Sequence, residues 1–264
     1  MVETGHVPMV EADPYLLFGL LGKQVIHPGG RKATEELLGL AALAPGQQVL
    51  DIGCGAGTTA IEMANRFRVT VTAADISADM RDRASANVEK AGCSDRVSVQ
   101  AADIRALPYE DGRFDRVVAE AVTMFVDRDR AISELFRVCR PGGLVLATEF
   151  HWRRPPTKEA RQAFLGELCP GMLFETVEDW LARYGSAGLT DLQVRTGPFE
   201  MMTARGFISD EGLGNAVRVM ARAAANGVAR RRMRWIMPRV SRAVPYLGYV
   251  LICGRRPGGE GDAG

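Results

Sequence analysis

The chain has 264 residues, 33 Lys and Arg against 32 Asp and Glu, 47% hydrophobic residues and five cysteines. That length and apolar fraction suit a folded α/β domain and exclude a disordered chain, while a formal net charge of +1 excludes a whole-domain basic footprint for nucleic acid. An odd cysteine count without a CxxC pair argues against a disulfide framework and a zinc site, so the expectation is no metal and a reducing, cytoplasmic compartment.

Tyr15 to Leu21 is the most apolar early run. It stops at Lys23, too short for a transmembrane segment and without the flanks of a signal peptide. A helix is expected over Lys32 to Leu43, entered through His27-Pro28-Gly29-Gly30. From Gln47 to Phe150, short β-branched runs alternate with helical stretches. The expected strands are 47–52, 69–74, 97–101, 114–119 and 144–148. Helices are expected over 58–66 (with Thr58 as cap), 77–91 and 128–140. Such alternation predicts a doubly wound, mostly parallel sheet covered on both faces. Residues 157–186 read as helical, with Thr176 to Asp179 resembling a capping box. Two late strands, 192–199 and 247–253, flank a mostly helical stretch, 210–242, that is long enough to be a lid.

The whole chain is expected to form one domain: an N-terminal helical cap segment (1–46), a core (47–150), helical insertions with the last two strands (151–256), and a disordered Gly-rich tail (257–264).

Chemistry concentrates at the ends of the first strands. Asp51-Ile52-Gly53-Cys54-Gly55-Ala56-Gly57 is a glycine loop at a helix start, where backbone amides can face a ligand. The dinucleotide fingerprint fails, because its third glycine would fall on Thr58. Asp75 ends the second strand, where a carboxylate can take both ribose hydroxyls. Asp103-Ile104 follows the third, where an acid can accept an adenine amine while Ile104 packs on the ring. Any one of these acids would serve as a helix cap; all three at successive strand ends point to a nucleoside-bearing ligand.

With those residues assembled, the sequence resembles the class I S-adenosylmethionine (SAM)-dependent methyltransferases of the small-molecule, UbiE-like type. Val49 to Gly57 resembles the family's first motif, Asp75 its second acidic position and Ala102-Asp103-Ile104 its third. Arg137 to Gly143 resembles the segment before its fifth strand. The resemblance implies a Rossmann-like, seven-stranded sheet with an antiparallel last strand and SAM as cofactor. Its implied binding residues are Asp51, Gly53, Cys54, Gly55, Asp75, Ile76, Met80, Asp103, Ile104 and Ala119. Phe125 stands where the family often carries a histidine, so no role of that histidine is carried over.

A general base is needed only when the acceptor holds a proton at its reacting atom. The catalytic candidates are His27, Glu120, Glu149 and His151, each with an ordinary structural role as its alternative. Leu16, Leu17, Phe18, Phe164, Leu173, Phe174, Met201, Met202 and Phe207 suggest a small, hydrophobic acceptor, and the same residues can equally be core. The alternatives are a nucleic-acid or protein methyltransferase, or a module that binds cofactor without catalysis. No Asn-Pro-Pro-Tyr-type element follows the fourth strand, which disfavours nucleic acid. The basic run from Arg230 to Arg242 reads either as a solvated helix face or as a patch for a phosphorylated substrate, RNA or an anionic membrane.

Overall fold

The computed structural model describes residues 14–258; the ends of the expected cap segment and tail, and the side chain of Leu16, lie outside the described residues. Seven strands form one sheet: β1 (Gln48–Ile52), β2 (Thr70–Asp75), β3 (Val97–Ala101), β4 (Phe114–Glu120), β5 (Cys139–Trp152), β6 (Thr190–Pro198) and β7 (Leu247–Arg255). Their order is β3-β2-β1-β4-β5-β7-β6. The first five run parallel, and β7 pairs antiparallel with both β5 and β6.

Helices α2 (Gly30–Ala41), α3 (Thr58–Phe67), α4 (Ala78–Lys90) and α5 (Arg128–Val138) accompany the parallel half. The short α1 (Pro14–Leu21), α6 (Lys158–Arg161) and α7 (Val177–Ser186), with the long α8 (Ala204–Ala225) and α9 (Gly227–Ala243), complete the chain. Central strands are buried on both faces, as in Val49, Leu50 and Ile52 of β1 and Val250, Leu251 and Ile252 of β7. Each such side chain contributes roughly 1.5–3 kcal/mol by leaving water.

Local chemistry sets the boundaries. Ser77 and Asp127 cap α4 and α5 by accepting from Met80 N and Arg130 N. The capping box at α7 is present: Thr176 Oγ1 accepts from Asp179 N at 3.1 Å while Thr176 N donates to Asp179 Oδ2 at 3.1 Å. Thr58 is the first helical residue of α3 and not its cap, because Gly57 makes the turn in the left-handed region. Strand β5 starts at Cys139, earlier than expected, since Cys139 pairs with Phe114 before the sheet register shifts. The stretch expected as one helical run, 157–186, breaks after Leu168 and restarts at Val177.

The topological switch lies between β1 and β4, the place where open α/β sheets bind ligands beyond their carboxyl ends. Helix α8 is fixed over the chain leading to this crevice. Lys23 is buried with its Nζ 3.5 Å from Asp210 Oδ2 and 3.4 Å from Glu211 Oε1. Glu211 also accepts from Gln24 N and Val25 N at 3.0 Å, and Asp210 accepts from Arg31 N at 3.0 Å. These bonds hold residues 23–31, including His27, against α8.

Candidate active site

Two adjoining cavities occupy the switch point. One, of about 270 Å³, is lined by Asp75, Ile76, Asp103, Ile104 and Arg105. The other, of about 190 Å³, is lined by Asp51, Cys54, Gly55, Glu120, His27 and Thr34, with Tyr15, Ile26 and Phe150 as apolar walls. Gly53, Ala121 and Phe125 line both, so the two form one cleft with a waist at those residues.

The floor of the cleft is acidic. Asp51 is buried, and its Oδ2 has no hydrogen-bond partner among the described residues. Burial, reinforced by the neighbouring Glu120 and Asp75, holds its carboxyl well above the usual range. Asp75 is organised by the backbone: Gly55 N donates to Oδ2 at 2.9 Å and Ser77 N to Oδ1 at 2.8 Å. Asp103 is gripped by Arg105, whose Nη2 lies 2.6 Å from Oδ2, and this holds its carboxyl below the ordinary value.

The glycine loop is shaped by two positions. Gly53 has φ +74°, and a Cβ there would collide with Val122 Cγ2. Gly55 has φ +53° and open space where a Cβ would be, so the protein leaves the loop's cavity side free. Burial pushes the Cys54 thiol up, so Cys54 is a wall and not a thiolate.

A polar cluster faces the second cavity. Glu120 Oε1 accepts from Thr59 Oγ1 at 2.7 Å, and Oε2 accepts from Thr34 Oγ1 at 3.0 Å. His27 Nε2 lies 3.1 Å from Thr34 Oγ1, and Nδ1 lies 3.5 Å from Glu120 Oε2. A carboxylate, an imidazole and two hydroxyls therefore share one network beside the glycine loop, an arrangement able to hold or accept a proton.

The structure thus brings together His27, Glu120, Asp51, Gly53, Cys54, Gly55, Asp75, Ile76, Asp103 and Ile104. It does not bring in four others. Glu149 is fully buried, accepts from Thr123 Oγ1 and lines neither cavity; burial raises its carboxyl to about 8. His151 is also buried, and burial lowers its imidazole. Ala119 lies inside β4, so the lining falls to Ala121. Met80 lies outside the lining and approaches α1 near Gly19.

The apolar residues expected around an acceptor are placed elsewhere. Leu17, Phe164 and Met201 are core, Leu173 and Phe174 line neither cavity, and Phe18, Met202 and Phe207 line a groove beside α8. Sequence reasoning did not single out Thr34, Thr59, Arg105, Tyr15, Ile26 or Phe150, whose roles come from long-range packing that no local motif announces.

A methyltransferase-domain family model matches residues 49–143, the segment that carries the loop and all three acids. The chain is 34% identical over 234 residues to the 27-O-demethylrifamycin SV methyltransferase of Amycolatopsis mediterranei, a match covering 86% of this chain and 83% of that protein. The chain belongs to the class I SAM-dependent methyltransferases. The fold of this methyltransferase is shared with the [4+2]-cyclase SpnF, at a TM-score of 0.70 and 23% identity over 90% of this chain and 89% of that one. It is shared too with Haemonchus contortus phosphoethanolamine N-methyltransferase 2 in complex with phosphomonomethylethanolamine and S-adenosylhomocysteine, at a TM-score of 0.72 and 21% identity over 90% of this chain and 56% of that one.

The residues present suit the cofactor of the methyltransferase family. SAM carries a sulfonium and an ammonium, and the cleft offers a buried carboxylate with an unpartnered oxygen beside two further acids. The open side of Gly55 leaves room for close backbone approach.

Proposed function

We propose that the methyltransferase methylates a small, hydrophobic metabolite at an atom that gives up a proton. The observation that carries this reading is the shared waist of Gly53, Ala121 and Phe125, which joins the acidic cradle to a chamber holding both aromatic walls and the Glu120–His27 network. In this reading Asp75 takes the ribose hydroxyls, Ile104 packs on the adenine and Asp103 accepts its amine. Asp51 and the Gly53–Gly55 backbone receive the methionyl end.

Bound there, SAM supplies a methyl group already activated by its sulfonium. The chain's own work is alignment and desolvation. Tyr15, Phe125 and Phe150 exclude water and orient an apolar acceptor. Their rings are edge-on, with Tyr15 6.4 Å from Phe125 and 6.0 Å from Phe150. Glu120, steadied by Thr34 and Thr59, holds the acceptor's proton together with His27. The relative that methylates 27-O-demethylrifamycin SV supports a hydroxyl-bearing natural-product acceptor.

The test is incubation with methyl-labelled SAM and a panel of hydroxylated polyketides, terpenoids and quinols, read by mass spectrometry. Labelled product from an apolar hydroxyl compound is expected. Tight SAM binding without any product would favour a module that does not catalyse, and label in RNA or protein would favour a macromolecular acceptor.

A further inference from the structure

Outside the cleft, an apolar groove of about 700 Å³ lies between α8 and α9. Gly212 interrupts α8, and the helix beyond it turns Leu213, Val217, Met220 and Ala224 toward the groove at successive helical turns. These side chains are not sealed: Leu213 is 67% exposed, Val217 58% and Met220 50%. On α9, Met233 and Met237 form the facing wall, and Arg230 and Arg234 follow on the same side at a depression that shares Met220, Ala224 and Met233 with the groove.

Charge is as uneven as polarity. From Gly212 to Ala243 there are Arg218, Arg222, Arg230, Arg231, Arg232, Arg234, Arg239 and Arg242, and no Asp or Glu, in a chain of net charge +1. Exposed aliphatic side chains flanked by arginines match one surface in both respects: acyl chains beneath anionic headgroups. A second copy fits worse, because a twofold contact through this face would set arginines against arginines. Single-stranded nucleic acid also fits worse, since the aromatic Trp235 is covered by Arg232 and Arg239, at 4.2 and 3.9 Å from its ring centroid.

We infer that the α8–α9 face docks the protein on an anionic lipid bilayer. Leu213, Val217 and Met220 enter the headgroup–acyl boundary while Arg230 and Arg234 meet lipid phosphates. Phe18, which lines the groove, lies on the same short helix as Tyr15 of the cleft, so the docked face adjoins the chamber wall. The inference concerns location and stands whether or not the acceptor is hydrophobic.

Co-sedimentation of the full chain with equimolar phosphatidylglycerol–phosphatidylcholine vesicles tests it, with pure phosphatidylcholine as comparison. Binding to the anionic vesicles, weakened by high salt and absent from the neutral ones, is expected. R230Q/R234Q lowers partitioning about 25-fold, and L213D/V217D lowers it at least about tenfold. All four positions are exposed and outside the cleft, so S-adenosylhomocysteine affinity stays unchanged in both variants and reports an intact fold. The inference is overturned by no binding to anionic vesicles, by equal binding to neutral ones, or by binding that the variants leave intact. It is likewise overturned if sedimentation shows a dimer that L213D/V217D dissolves, or if the arginines protect RNA and not vesicle binding.

Discussion

The hydroxyl of Thr34 donates to Glu120 Oε2 at 3.0 Å, tying α2 to the end of β4. With Thr59 on the other oxygen, both lone-pair directions facing these helices are filled and the carboxylate has one orientation. Glu120→Gln keeps the shape and removes the proton acceptor. It is expected to lower kcat by about 10²–10⁴ while changing SAM affinity less than about tenfold. Thr34→Val, which loosens the carboxylate and removes the hydroxyl partner of His27, lowers kcat by about tenfold. Steady-state kinetics with separate cofactor titrations checks both; a loss confined to SAM affinity would make Glu120 a cofactor ligand.

Gly53 sits under Val122 with a positive φ, so Gly53→Ala meets both backbone strain and a side-chain collision. SAM affinity falls by roughly 100-fold. Adding Val122→Ala removes the collision and leaves the strain, so the double variant recovers part of that loss in calorimetry.

The parallel half of the fold was legible because its strands are short, mostly β-branched or aliphatic runs, of which β1, β2 and β4 end at residues that line the cleft. Asp51, Asp75 and Asp103 were readable for the same reason: strand ends in a parallel sheet converge by construction. The network around Glu120 was only half readable. His27 and Glu120 stood out by chemistry, but Thr34 and Thr59 meet Glu120 only when α2 and α3 pack beside β4, and no local pattern encodes that. Glu149 and His151 were expected at the same edge; their side chains turn instead into the packing beneath Thr123 and beside β7. Phe150, between them in sequence, faces the chamber.

Lys23 is buried with Asp210 and Glu211. Lys23→Met leaves those acids without their cation and costs about 3–5 kcal/mol, read as a lower denaturation midpoint. Because Glu211 also fixes the backbone of Gln24 and Val25, the variant frees the segment carrying His27 and raises hydrogen exchange at residues 24–31.

Glu149 gives a stability signature with pH. Burial raises its carboxyl from 4.5 to about 8 in the folded protein, so the native state holds a proton that the unfolded chain gives up. Its contribution is therefore undiminished below about pH 4.5 and is lost as pH rises through 8. Glu149→Gln, which stays neutral, is expected to match the parent near pH 5 and to exceed it above pH 8, by roughly 2–5 kcal/mol. Thermal or denaturant unfolding across that range checks the crossover.

The cradle itself is tested most directly by calorimetric titration of SAM and S-adenosylhomocysteine from acid to alkaline pH, with the parent protein and Asp51→Asn. Asp51 is buried beside Glu120 and Asp75 and holds its proton abnormally well, so a cationic ligand has to draw it off. Affinity for both compounds should rise with pH, because both carry the ammonium that Asp51 receives, and Asp51→Asn should flatten both curves. Affinities that do not change with pH, or an unaltered profile in Asp51→Asn, would contradict the assignment.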